Sequence, residues 1–325
     1  MVERNFEYNP NPQEDESDNS DITRRDFLKM SAAGLLGARG LAMEIEQQRN
    51  PEISTKRAFL VEVRPSHNMP DGFSRFELHR EDGSGRSELV GSFFAMETGS
   101  TSHIEFISNK LHPQFFTPEL NFDAVRQSFG NGKQVVLESA GAFTPDYKQI
   151  QGLAYEQGQS VGQSTPSEHQ GLLVIKNSKP EIAYLNEVNL PNFLEQAKQN
   201  KWSFFQQIPA IKHGTINFRS NNQALLETRF FVERKTPTGT TSGVINFSKR
   251  MTIPAAIEVM AKMDNSQSKI ENALYLDTGA VSEGYFYTKD GKANRMVDEQ
   301  FFANAQAERE NKKKYTNLIV LWSGK

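Results

Sequence analysis

Two carboxylates and one arginine stand where this sequence could do chemistry. Asp277 ends the apolar run 272–276 and meets Thr278, Gly279 and Ala280. Glu138 closes the run 134–137 (QVVL) and meets Ser139, Ala140 and Gly141. A carboxylate leaving a buried strand beside small residues can hold a proton, or a metal, at the rim of a sheet. The small residues let another molecule approach the backbone closely. Arg229 lies between Leu225-Leu226 and Phe230-Phe231. If it points inward it needs an anion or a carboxylate, and if outward it faces water. Each residue also has a plainer reading: Asp277 as a turn former or helix cap, Glu138 as an edge carboxylate paired with a surface lysine.

Other chemistry is thinly supplied. The 325 residues include no cysteine, which removes disulfides, thiolate metal sites and cysteine nucleophiles. His67, His79, His103, His112, His169 and His213 show no close metal-ligand spacing. They are expected at the surface or in turns. No metal site and no cofactor-loaded redox centre is therefore expected from the histidines. With 37 basic and 40 acidic side chains, the net charge of −3 offers no field for nucleic acid.

The reacting residues must be held by sheet. Alternating or apolar runs predict strands at 58–63, 101–108, 134–137, 152–155, 171–176, 180–185, 225–233, 243–248, 272–276 and 317–322. The stretch 85–98 reads as a further hairpin, 204–211 as extended chain, and a polar, glycine-containing turn follows residue 63. Helices are predicted over 121–129, 192–200, 251–263 and 298–313, the third with Thr252 as N-cap and Pro254 in its first turn. Many strands with few helices, in no βα alternation, predict an α+β protein of mostly antiparallel sheet. The 23 phenylalanines suit such a core.

The order of these segments resembles the phosphodiester glycosidase family, to which the mannose 6-phosphate uncovering enzyme belongs. That family shows Asn-Ala-Gly or Asn-Gly-Gly, then Phe, an Asp/Pro turn and a Gly-Leu strand. Here Glu138-Ser139-Ala140-Gly141, Phe143, Pro145-Asp146, Gly152-Leu153 and Gln157-Gly158 follow that order. The run 171–175 with Lys179-Pro180-Glu181-Ile182 resembles its next hairpin, and Gln207-Ile208-Pro209 with Lys212-His213-Gly214 its Gln-x-x-Pro segment. Arg229 falls near the family's arginine, and 272–277 (NALYLD) is close to its Asn-Ala-Leu-x-Leu-Asp-Gly-Gly. The resemblance spans residues 58–322, and its specific blocks are 135–158 and 272–282.

The resemblance implies a single domain over 58–322 that hydrolyses a sugar phosphodiester or a related cell-envelope glycan. Asp277 and Glu138 would be its catalytic or metal-ligating carboxylates, leaving a divalent cation open as cofactor. Arg229 would hold the phosphate, with Gly141, Phe143, Gly152, Gly279 and Ser282 about the ligand. Two departures fall in this region. The family's asparagine is Glu138 here or is displaced by one residue, and Thr278, Ala280 and Val281 interrupt its Asp-Gly-Gly-Gly-Ser-Ser. A β-branched threonine resists positive φ, so Thr278 would reshape a loop built for glycine. The alternative is a catalytically inactive glycan-binding protein on the same scaffold.

The segment 23–29 (TRRDFLK) resembles the twin-arginine export signal, with Arg24, Arg25, Phe27, Leu28 and Lys29 at the constrained positions. The apolar stretch 30–38 is too short to span a bilayer, and Gly40-Leu41-Ala42 offers small residues for a signal peptidase. The residues ahead are rich in Asn, Asp, Glu and Pro, a composition that does not fold. The plainer reading puts Arg24 and Arg25 on a solvated amphipathic helix starting at Asp21. The signal reading implies a leader over 1–42, the twin-arginine translocation machinery as partner, and a periplasmic or secreted protein. No apolar run near twenty residues follows, so no stable membrane span is expected in the mature chain.

Overall fold

Phe230 and Phe231 are neighbours in sequence, and both are fully buried. Successive strand residues point to opposite faces, so both faces of their sheet must be covered. The computed structural model describes residues 60–66, 68–81, 84–97, 99, 101–144, 148–218, 225–264, 268–277, 283–296, 310 and 315–324. The export segment, Pro145-Asp146, the stretch 278–282 and all of the predicted helix 298–313 except Glu310 lie outside them.

In chain order the strands are β1 (Leu60–Ser66), β2 (Phe73–Glu81), β3 (Ser87–Met96), β4 (Ser102–Ser108), β5 (Lys133–Ser139), β6 (Ala154–Glu156), β7 (Gln159–Ser160), β8 (Gly171–Lys176) and β9 (Lys179–Tyr184). They continue as β10 (Ser203–Lys212), β11 (Thr215–Ile216), β12 (Arg229–Thr236), β13 (Gly239–Phe247), β14 (Lys269–Tyr275), β15 (Gly284–Tyr287), β16 (Ala293–Arg295) and β17 (Asn317–Gly324). The helices are α1 (Phe122–Ser128), α2 (Leu190–Gln199) and α3 (Ile253–Lys262). Thr252 caps α3, its side chain accepting from the Ala255 N–H at 3.2 Å, and Asn121 caps α1 through the Ala124 N–H at 3.0 Å.

Among the described residues these strands form two sheets. A twelve-stranded sheet runs β1-β2-β3-β13-β12-β14-β10-β6-β7, with β8 and β11 also paired to β10 and β9 paired to β8. A five-stranded sheet runs β16-β15-β5-β17-β4. Every pairing between these strands is antiparallel. The protein is thus α+β and mostly antiparallel sheet.

The sheets stack face to face. Phe94, Phe231 and Leu274 of the larger meet Phe106, Leu137 and Ile319 of the smaller. On the larger sheet's other face, Phe230, Ile245 and Ala273 pack under Ile253, Ile257 and Met260 of α3. On the smaller sheet's outer face, Phe122 and Val125 of α1 cover Val135, Tyr287 and Val320. Helix α2 lays Phe193 and Ala197 on Leu172, Val174 and Phe204. Each large apolar side chain buried in this way contributes ~1.5–3 kcal/mol.

Two expectations need correction. The stretch 85–98 is not a hairpin: β3 is one strand lying between β2 and β13. The supposed turn region after residue 63 contains the whole of β2. Its sequence, FSRFELHRE, looks polar because most of its positions are only half-buried, with Arg75 lying 4.7 Å over the Phe286 ring.

One polar contact joins the sheets away from Asp277. Glu156 of β6 is buried, and its Oε2 accepts the Ser108 N–H at 2.9 Å and the Ser108 hydroxyl at 2.5 Å at the end of β4. Its Oε1 lies 2.8 Å from His112 Nε2. Glu156→Ala strands these donors, and should lower the unfolding free energy by about 1–3 kcal/mol. Urea denaturation would measure the change, and unaltered stability would show that the contact joins nothing of consequence.

Candidate functional site

Strands β5 and β14 belong to different sheets, yet the chain leaving each one meets the other. The Asp277 N–H donates to the Gly141 carbonyl at 2.9 Å, and the Leu276 N–H to the Arg229 carbonyl at 2.9 Å. Asp277, the loop 140–144 and the start of β12 therefore share one place. Asp277 is 2% exposed, and its Oδ2 accepts from the Thr144 hydroxyl at 3.4 Å.

Arg229 points inward. It lies two residues from Phe231, on the same face of β12, and is fully buried. Its Nε donates to Asn246 Oδ1 at 3.0 Å within the larger sheet, and its Nη1 to the Ser139 hydroxyl at 2.5 Å in the smaller. The guanidinium thus bridges the two sheets beside the loop that carries Gly141.

That loop is pinned from three sides. Asn317 Oδ1 accepts from the Gly141 N–H at 3.2 Å and the Ala142 N–H at 2.7 Å, while its Nδ2 donates to the Ala142 carbonyl at 3.0 Å. Gln207 Nε2 donates to the Gly141 carbonyl. A Cβ on Gly141 would lie 2.8 Å from Ile319 Cγ2, so only glycine lets the loop sit this close to β17. Gly152 is held the same way: its φ is +72°, and a Cβ would fall 2.3 Å from Gln206 Oε1. Phe143 is buried, its ring centroid 5.4 Å from that of His169 and 5.7 Å from that of Tyr275.

The same neighbourhood holds buried polar atoms that make no hydrogen bond: Gln207 Oε1, His169 Nε2 and Thr228 Oγ1. An unmet buried polar group costs roughly 1–3 kcal/mol, so such groups mark positions where solvent or a ligand can be bound. His169 is a correction to the surface placement expected of the histidines, being only 4% exposed. Burial pushes its imidazole down toward the neutral form, against the opposing charge of Glu168. Thr144 and Thr228 carry no local pattern that distinguishes them in the sequence, and neither does the buried setting of His169. Gln207 had a signal, since Gln207-Ile208-Pro209 resembles the family's Gln-x-x-Pro segment.

Glu138 does not share this site. It neighbours Ser139 on β5 and so faces the other side of the smaller sheet, toward α1. There it is fully buried, its Oε2 accepting from the Tyr287 hydroxyl at 2.5 Å while Oε1 makes no hydrogen bond. Gly279 and Ser282 lie outside the described residues. Among the described residues no three His, Cys, Asp or Glu side chains converge in a way that could hold a metal ion. These residues alone therefore supply no metal-binding set, and no step is assigned to one.

Burial pushes the Glu138 carboxyl up to about 8, against the opposing Tyr287 hydrogen bond and Arg126 charge. Between its ordinary value of 4.5 and about 8, the folded protein keeps a proton that the unfolded chain has released. Stability contributed by this group is therefore full below about 4.5 and is lost as pH rises toward about 8. The slope is at most roughly 1.4 kcal/mol per pH unit. Glu138→Gln should flatten it. Denaturation curves across that window would show the difference, and parallel slopes in the two proteins would mean that Glu138 titrates as an ordinary exposed carboxyl.

No family model matches the chain, and no curated protein matches it in sequence. Among solved structures, it is similar to the catalytic domain of zebrafish N-acetylglucosamine-1-phosphodiester alpha-N-acetylglucosaminidase, auto-inhibited by its pro-peptide. The TM-score is 0.52 at 11% identity, covering 82% of this chain and 88% of that one. A hypothetical protein from Synechocystis aligns at a TM-score of 0.44 and 10% identity, over 81% of this chain and 68% of that one. The first of these similarities, joined to the antiparallel two-sheet architecture, shows that the chain has a phosphodiester glycosidase-like fold.

Proposed function

We propose that this chain is an exported hydrolase acting on a sugar phosphodiester or a related cell-envelope glycan. The observation that carries the reading is the buried polar cluster about Asp277, with unmet hydrogen-bonding atoms on Gln207, His169 and Thr228. Away from bulk water such groups act strongly on a bound substrate. On this reading Asp277 exchanges a proton with the glycosidic oxygen. Arg229 supplies the positive charge that draws the phosphate, and Gln207 and His169 hold sugar hydroxyls. Gly279 and Ser282 enter the proposal through the family resemblance alone. The zebrafish domain supports the reading through its fold, which does not by itself carry an activity.

The second reading, a glycan-binding protein without catalysis, is favoured by one observation. Glycoside hydrolysis commonly uses a pair of carboxylates, and Glu138 faces the opposite side of β5 from Ser139 and Arg229. Turnover of a nitrophenyl-linked sugar phosphodiester by the wild type and by Asp277→Asn separates the two readings. Hydrolysis is expected to fall by about a hundredfold or more in the variant. Equal rates would sink Asp277 as the acid–base group, and calorimetric binding of glycan fragments without product would favour the second reading.

Export follows from Arg24 and Arg25 and belongs to the same proposal. Replacing both by lysine should leave the protein inside the cell with its leader attached, as read by fractionation and mass measurement. Undiminished export of the double variant would refute the twin-arginine route.

A further inference from the structure

The outer face of the smaller sheet carries a cavity lined by none of the residues clustered about Asp277. A cleft of about 530 Å³ opens between the segment 114–123 and β15. Its volume falls in the ~300–1,000 Å³ range of small-molecule sites. Tyr285 and Tyr287 form its floor, two residues apart and therefore on one face of the strand.

Both phenols are anchored to glutamates that are fully buried. The Tyr287 hydroxyl donates to Glu138 Oε2 at 2.5 Å, and the Tyr285 hydroxyl to Glu283 Oε1 at 2.5 Å. The buried Glu138 thereby fixes the Tyr287 ring. Rings held in place in advance lose little further freedom when something lies on them.

The opposite wall is polar. Gln114, Thr117 and Glu119 line it, and their side chains make no hydrogen bond among the described residues. The guanidinium of Arg126 lies 4.9 Å over the Tyr287 ring and pairs with Asp123 at 2.7 Å. It already takes the place that a ligand cation would take on that ring. Its charge is balanced by Asp123, and that of Arg295, 6.0 Å from the Tyr285 ring, by Glu283 at 3.8 Å, so among the described residues the cleft holds no spare cation to draw an anion. Tyr287 is only 2% exposed, so what remains is the half-buried Tyr285 ring facing an amide, a hydroxyl and a carboxylate that have no partner among the described residues. That combination suits a neutral polyhydroxylated ring, whose C–H face lies on the aromatic surface while its hydroxyls reach the wall.

We infer that this cleft is a second saccharide-binding subsite, seating a pyranose ring between Tyr285 and the Gln114–Thr117–Glu119 wall. Binding there requires no chemistry at Asp277. Only the idea that it retains an envelope glycan near that site rests on the proposed function.

The test is calorimetric titration of the full chain with N,N′-diacetylchitobiose and with methyl α-glucoside. The proteins compared are wild type, the double variant Gln114→Ala/Glu119→Ala, Tyr285→Phe, Tyr285→Ala and Asp277→Asn. At least one sugar should bind saturably, and the double variant, altered only on the cleft's outer wall, should weaken that binding by about tenfold. Tyr285→Phe keeps the ring but frees it from Glu283, and should bind more weakly than wild type. Tyr285→Ala should abolish that component of binding, whereas a component lost only in Asp277→Asn belongs to the proposed hydrolase site. Absence of saturable binding to either sugar would overturn the inference. So would binding lost entirely in Asp277→Asn but untouched in the double variant, or displacement of the sugar by tetramethylammonium.

Discussion

Everything near the candidate site depends on one buried cation. A guanidinium enclosed between two sheets cannot shed its charge, so its donors must find acceptors wherever the chain can provide them. Arg229 finds one in each sheet, Asn246 Oδ1 on its own side and the Ser139 hydroxyl across the gap. Asn246 in turn donates to the Met296 carbonyl, and Gly284 leaves room by lacking a Cβ, which would stand 3.3 Å from Nη1. The stacking of the sheets at this end is thus set by hydrogen-bond geometry as well as by apolar contact. Charged donors make these bonds stronger than neutral ones, and their directions leave little freedom for the sheets to slide.

Once the sheets are fixed, the chain leaving β5 has few routes open. It must pass between Ile319 and Phe205, which only Gly141 allows, and it is caught there by Asn317 and Gln207. Asp277 arrives from the other sheet and binds the Gly141 carbonyl. Carboxylate, loop and arginine are brought together by packing, not by nearness in sequence. The residues left with unmet atoms, Gln207, His169 and Thr228, come from β10, from the stretch before β8 and from the residue before β12. No local pattern could have grouped them.

This explains what the sequence revealed and what it withheld. Where strands are buried on both faces, as at 230–232 of β12 and 273–275 of β14, they show as short apolar runs, and the start of α3 follows from Thr252 and Pro254. The inward direction of Arg229 was undecidable from its neighbours, because Phe230 and Phe231 are buried on opposite faces and give no sign of which face Arg229 shares. Strand β2 was missed because its polar residues are mostly half-buried, with Arg75 lying over the Phe286 ring instead of in water. Glu138 and Asp277 looked alike in sequence, each a carboxylate ending an apolar run. They part only because strand residues alternate, and the alternation places Ser139, not Glu138, against Arg229. Gly141 and Gly152 were expected about the ligand; what approaches them in this structure is the protein's own Ile319 and Gln206.

The position of β17 has a consequence for the order of events in the cell. Residues 317–324 emerge from the ribosome after every other described segment, yet β17 lies between β5 and β4 in the smaller sheet. Until it inserts, β4 and β5 have no common neighbour, and the Gly141 loop lacks the side chain of Asn317 that ties it down. Pairings this distant along the chain form slowly. A nascent chain can therefore collapse around its larger sheet while the polar cluster at Asp277 is still unassembled. Among the described strands β17 acts as the closing stave, so the cluster about Asp277 is complete only once residues 317–324 have been made.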